Sequence, residues 1–168
     1  MLGHLGVTLA QGRRPVPATR AEAPGRVPFR VMLRYETRTD APPETAWALL
    51  ACPTRWAEWA PHVRGAWGLG WPQVREGAVG AVRLFGVVPV PARIARVNPG
   101  ESWAWQIGLV TVDHVVEELP DHQGSVIVVA IDAPGPLEPV VARTYGLVLG
   151  GLMERLARAA EATHAAGG

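Results

Sequence analysis

Two polar side chains fall where the surrounding pattern is apolar. His114 lies midway along the run TVDHVVEEL, whose period-two alternation puts Val112 and Val116 on its face and turns Asp113, Val115 and Glu117 the other way. An imidazole in such company can donate to a ligand carbonyl or carry a proton, because its ordinary pKa lies near neutrality. Proton transfer needs a second group within reach, and Tyr145, further along the chain, is the candidate. The plain alternatives are structural: an imidazole satisfied by a neighbour or water, and a tyrosine that packs its ring and wets its hydroxyl.

The second concentration of unusual residues is aromatic. The stretch TRWAEWAPHVRGAW holds Trp56, Trp59, His62 and Trp67. Trp56 and Trp59, three apart on a short helix, share one face. Trp67 has the strand parity of Val63 and Leu69 and is expected to face inward, while His62, after Pro61, belongs at the surface or at a cavity mouth. In SWAWQI, Trp103, Trp105 and Ile107 share one strand face. Large rings give contact area with little rotamer loss, so they suit either a core or the wall of a ligand cavity. The residues placed toward a ligand are Trp56, Trp59, Trp67, Trp105, His114, Tyr145, Val148 and Leu152, with His114 and Tyr145 as the catalytic candidates.

Other chemistries lack support. The histidines at 4, 62, 114, 122 and 164 are scattered without metal-ligand spacing, so no metal and no cofactor is expected. No G-x-S-x-G occurs, and GLVLGG lies inside a helical pattern without the strand, loop and Lys of a phosphate-binding loop. Cys52, the single cysteine, excludes an intrachain disulfide and reads as a small apolar residue. Arg83 and Arg93 sit in strands, on parities that favour the outside. All 16 basic residues are arginine, and the net charge is +1, which favours neither nucleic acid nor an anionic membrane. No apolar run approaches the roughly 20 residues of a membrane span. The first residues lack the pattern of a secretory signal, so cytoplasm is the default, and self-association as a homodimer stays open.

The elements that must position these residues follow from local pattern. Residues 1–27, rich in Pro, Ala and Arg without sustained period, read as a flexible extension; the domain proper runs over 28–165. Phe29 to Thr37 alternates as a strand. DAPPETAWALLACP reads as a helix with Asp40 as its cap, and TRWAEWAP as a second, short one. Six strand-like runs separated by Pro, Gly, Asn and Asp follow at a spacing that argues an antiparallel meander. A long helix closes the chain; at 100° per residue Val141, Tyr145, Val148, Leu152, Leu156, Ala159 and Thr163 form its inward stripe. Gly146 and Gly150 lie off that stripe, with no local reason for their presence.

Between Phe29 and Thr163 this order, with APPETAWALLACPTRWAEWAPHV, the NPGESWAW turn and strand, and the DHVVEELPDHQGS strand pair, resembles the START-like, or SRPBCC, superfamily, near its polyketide cyclase/dehydrase-type members. The resemblance implies an α+β helix-grip fold: a curved antiparallel sheet of about seven strands around the C-terminal helix, two short helices after the first strand, and a cavity between. It also implies a small hydrophobic or aromatic ligand, lipids included. The alternatives are a cyclase or dehydratase acting in the same cavity, with His114 moving a proton, and a module that binds a protein partner through the sheet or the N-terminal arm.

Overall fold

The computed structural model describes residues 30–120 and 123–167, with side chains for all of these except 30, 31 and 137–147. The expected extension over residues 1–27 therefore lies outside the described residues.

Strand β1 (Arg30–Thr39) is followed by helix α1 (Pro43–Ala51), a single 3-10 turn (Pro53–Arg55) and the short helix α2 (Trp56–Trp59). Six strands then run as β2 (Val63–Trp67), β3 (Val79–Leu84), β4 (Val88–Asn98), β5 (Ser102–Ile107), β6 (Val110–Glu118) and β7 (Ser125–Pro134). A second 3-10 turn (Gly135–Leu137) leads into α3 (Glu138–Gly167). The sheet order is β1-β7-β6-β5-β4-β3-β2, and every neighbouring pair is antiparallel. Strands β2 to β7 are thus a meander, and β1 adds beyond β7. This is the helix-grip arrangement that the element order implied.

The sequence explains most of these elements. In β4 the prolines at 89 and 91 share the parity of Arg93, whereas Ile94 donates its N–H toward the β3 side, to Ala78 O. The proline nitrogens therefore face the other edge, and β5 pairs with β4 only from Arg93 onward. No ladder bond is lost, which is the condition under which a strand tolerates proline. Strands β5 and β6 meet at a two-residue turn, Gly108–Leu109, between the paired Ile107 and Val110. Gly108 has φ of 59°, which a II′-type hairpin requires at its first central position. The sequence pattern alone had carried the strand on through this turn to Val110.

Asp40 does not cap α1. It is exposed, and the helix begins at Pro43 with no side-chain cap; Thr45 and Ala46 donate instead to Pro42 O. The neighbouring Thr39 ties β1 to the C-terminal helix, its hydroxyl lying 3.2 Å from Ala157 O.

Trp67 and Val148 face opposite to the way their sequence pattern implies. Trp67 is 46% exposed, not inward. The β2–β3 register slips between Val63 and Ala66, so Val63 and Ala66 both turn to the core although they are three positions apart. A bulge of this kind inverts parity downstream, and Trp67 comes out on the outer face, where the Arg83 guanidinium lies 5.6 Å from its ring centre. Val148 is also out, at 49% exposure. The buried ridge of α3 is Leu149, Met153, Leu156 and Ala160, with Leu152 and Ala159 half-buried on its flank. The helix packs against β1 and β7 and also against α1 and α2. Those two surfaces together decide which arc is covered.

Gly150 and Gly151 lie exposed outside the buried ridge, and a Cβ at either would meet nothing within 4 Å. Glycine in a helix interior costs about 1 kcal/mol relative to alanine. Gly150→Ala and Gly151→Ala are each expected to raise stability by about that amount in urea unfolding. A loss of stability in either variant would show that this arc has a neighbour.

Candidate functional site

The site begins with the end of α1. A helix leaves its last carbonyls without intrahelical partners. Here Leu49 O accepts the Trp59 indole N–H at 3.3 Å, Leu50 O accepts that of Trp56 at 2.9 Å, and Ala51 O accepts Val74 N–H at 2.8 Å. The W-x-x-W spacing on α2 therefore closes α1 and fixes two indole rings against the sheet. A bidentate pair between Arg55 and Glu58, and a bond from Arg55 to the Thr163 hydroxyl at 3.2 Å, tie α2 to α3.

Against these rings stand three more from the sheet. Alternation puts Trp103 and Trp105 on one face of β5, and the antiparallel register sets Trp103 opposite His114 and Trp105 opposite Val112. Trp56, Trp103 and His114 form a near-parallel stack, with centroids 5.7 Å and 4.0 Å apart and planes within 7° and 6°. Trp105 meets all three edge-on, at 5.3, 5.6 and 5.8 Å. Edge-to-face and offset-stacked pairs are the arrangements that aromatic quadrupoles favour.

Beside this cluster lies a cavity of about 100 Å³. Trp59 and Val63 line it on the α2 side, Val129 and Ile131 from β7, and Leu149 and Met153 from α3. An engineered cavity of about 150 Å³ admits benzene, so one small ring enters the smaller space here only with an outward shift of its walls. A larger molecule requires α2 to move.

The cavity is apolar but not featureless. Trp103 Nε1, Trp105 Nε1 and His114 Nδ1 are buried and have no hydrogen-bond partner among the described residues. Burial pushes His114 from an ordinary 6.5 down to about 3, against an opposing effect of the Trp103 backbone. His114 is therefore a neutral imidazole at pH 7, with one lone pair and one N–H. None of the described lining residues is an acid or an arginine.

The sequence profile of the family described as polyketide cyclase / dehydrase and lipid transport matches residues 30–161. The chain belongs to that family. Among solved structures it resembles protein NE0264 from Nitrosomonas europaea (12% identity, 80% of this chain and 96% of that one, TM-score 0.64). It also resembles Ara h 8.0201 (13% identity, 79% and 98%, TM-score 0.60). DynU16, described as a putative protein in the dynemicin biosynthetic locus, is 20% identical over 76% of this chain and 46% of that one, with TM-score 0.59. At these identities the neighbours show the fold alone, and it is the helix-grip fold expected of the matched family. No curated protein matches the chain.

Five of the residues assigned from the sequence to a ligand cavity line this one: Trp56, Trp59, Trp105, His114 and Leu152. Trp67 and Val148 do not, for the reasons of bulge and helix rotation given above. Tyr145 belongs to α3, but its side chain lies outside the described residues. His62 also lines the cavity, half-buried, and burial lowers its pKa. Leu149 and Met153, which wheel analysis did not select, sit one position C-terminal to Val148 and Leu152. A helix as broadly apolar as α3 gives no local signal that distinguishes the two ridges. Cys52 is half-buried, and burial raises its thiol over the lowering effect of Arg55, so it is not an activated nucleophile.

Proposed function

We propose that this protein binds a small hydrophobic or aromatic molecule in the cavity between sheet and α3, acting in the cytoplasm. The observation that carries the reading is a cavity of about 100 Å³ walled by a four-ring aromatic cluster. Filling it removes apolar surface from water at about 25 cal/mol per Å². The bond from Arg55 to Thr163 makes α2 a closed lid whose displacement admits the ligand. Lipid transport and storage fall within this reading, because they require enclosure without chemistry.

The test is titration with toluene, followed by tryptophan fluorescence and by calorimetry. Saturable binding of one molecule, weakened in Trp59→Ala, is the expected result. Absence of saturable binding would remove the receptor interpretation.

A second reading is a cyclase or dehydratase in the same cavity, with the His114 Nδ1, which has no partner among the described residues, hydrogen-bonded to the substrate; burial, which lowers its pKa to about 3, opposes a role as proton acceptor at pH 7. The two readings separate on His114→Ala. Enzymatic turnover is abolished in the catalytic case, whereas binding alone changes by about 1 kcal/mol for one lost hydrogen bond.

A further inference from the structure

We propose that the aromatic end of the cavity is a hydroxyl subsite, in which Trp103, Trp105 and His114 together take the O–H of a neutral monocyclic phenol. The inference rests on the ligand-binding reading above and adds the chemical class of the ligand.

Three observations converge on it. The first is the set of orphaned atoms. Trp103 Nε1, Trp105 Nε1 and His114 Nδ1 are all buried without partner among the described residues, and all three side chains line the one cavity. Buried polar groups are normally satisfied, so three such atoms beside one space are unusual.

The second is what those atoms demand. An indole has a single N–H and no lone pair to offer. We assign the His114 proton to Nε2 as part of this proposal, which leaves a lone pair at Nδ1. The demand is therefore for two acceptors and one donor. A hydroxyl has one O–H and two lone pairs, so a single oxygen meets all three. A ketone or ether answers the indoles and leaves the imidazole. A neutral amine answers the imidazole and one indole and leaves the other, and an ammonium leaves both. A carboxylate would bring a charge that none of the described lining residues balances.

The third is size and shape. The cavity of about 100 Å³ is below the about 150 Å³ that admits benzene, so one small ring is the upper limit of what it takes, and the indoles of Trp56, Trp59, Trp103 and Trp105 line it. A ring that carries one hydroxyl and is otherwise apolar satisfies both halves of the lining.

Phenol and toluene make the decisive pair, because they match in shape and differ only in O–H against CH3. A purely apolar cavity prefers toluene, since stripping a hydroxyl of water without replacing its hydrogen bonds is unfavourable. Dissociation constants for both are to be measured by calorimetry on the wild-type protein and on His114→Leu and Trp103→Phe. The expected result is phenol binding at least as tightly as toluene to the wild type, with the phenol-to-toluene ratio falling at least tenfold in each variant. His114→Gln, which keeps an acceptor, is expected to recover part of the preference. Toluene binding to each variant shows that it is folded and its cavity intact. Wild-type preference for toluene by tenfold or more, or a ratio unmoved by the substitutions, overturns the subsite and leaves the apolar receptor standing. Failure of both probes to bind overturns both readings.

Discussion

Between pH 6.5 and pH 5 the protein is expected to lose about 2 kcal/mol of stability through His114 alone, and His114→Leu is expected to remove most of that slope. The imidazole titrates at 6.5 when unfolded and at about 3 when folded. Its folded pKa is depressed, so as pH falls below 6.5 the unfolded chain takes up the proton first. Stability is then complete above about pH 6.5 and declines as pH falls toward 3. The slope is at most about 1.4 kcal/mol per pH unit. Desolvation is the cause: a cation at this site would stand among indoles, Val112 and Val129, with no carboxylate among the described lining residues. His62, also lowered by burial, adds in the same direction but less, because it is only half-buried. Above pH 5 most exposed carboxylates remain ionised, so this window isolates the histidines. Urea unfolding at pH 7, 6 and 5 provides the measurement. Parallel profiles for wild type and His114→Leu would show that His114 reaches water in the folded state. At pH 7 the leucine variant removes the unpartnered Nδ1 but also the stack on Trp103 and the hydrogen bond to the Trp103 backbone, so a net change of about 1 kcal/mol or less is expected.

The second large effect is expected at Trp56. This side chain is 3% exposed, stacks on Trp103, meets Trp105 edge-on and donates to Leu50 O. Trp56→Ala removes the ring, at about 3–5 kcal/mol for a buried tryptophan. It also orphans the Leu50 carbonyl, at about 1–3 kcal/mol. Domains of this size are stable by only about 5–15 kcal/mol, so the variant is expected to be largely unfolded or close to it. Trp56→Phe keeps most of the stack and loses the hydrogen bond, and its expected cost is about 1–3 kcal/mol. Trp67→Ala provides the contrast, because its ring is exposed on the outer face: about 1 kcal/mol or less, mainly the contact with Arg83. Guanidinium unfolding of the three variants measures these differences. Equal losses in Trp56→Phe and Trp56→Ala would mean that the hydrogen bond to Leu50, not the ring, holds α2 in place.

Both predictions depend on the aromatic cluster, and its legibility in the sequence was uneven. Period-two alternation was enough to put Trp103 with Trp105, and His114 with Val112 and Val116, because side-chain direction in a strand is a local property. Proline and glycine marked most strand ends for the same reason. The order of elements, with the quoted motifs, was enough for the helix-grip fold.

Tertiary structure decided the rest, where a residue's environment is set by distant chain. Register brings His114 onto the face of Trp103, and no pattern within either strand specifies it. The slip in register at β2 turns Trp67 outward, although its parity with Val63 was correctly counted, since one extra residue reverses every side chain beyond it. On α3, apolar residues occupy more than half of the circumference in its described part, and only contact with β1, β7, α1 and α2 selects Leu149 and Met153 over Val148. The indole N–H groups of Trp56 and Trp59 find their acceptors at the end of another helix, while those of Trp103 and Trp105, identical in the sequence, find none among the described residues. A residue's type and spacing determine which groups it can offer. Only the packed fold determines which of those groups are left for a ligand, because that depends on neighbours supplied from elsewhere in the chain.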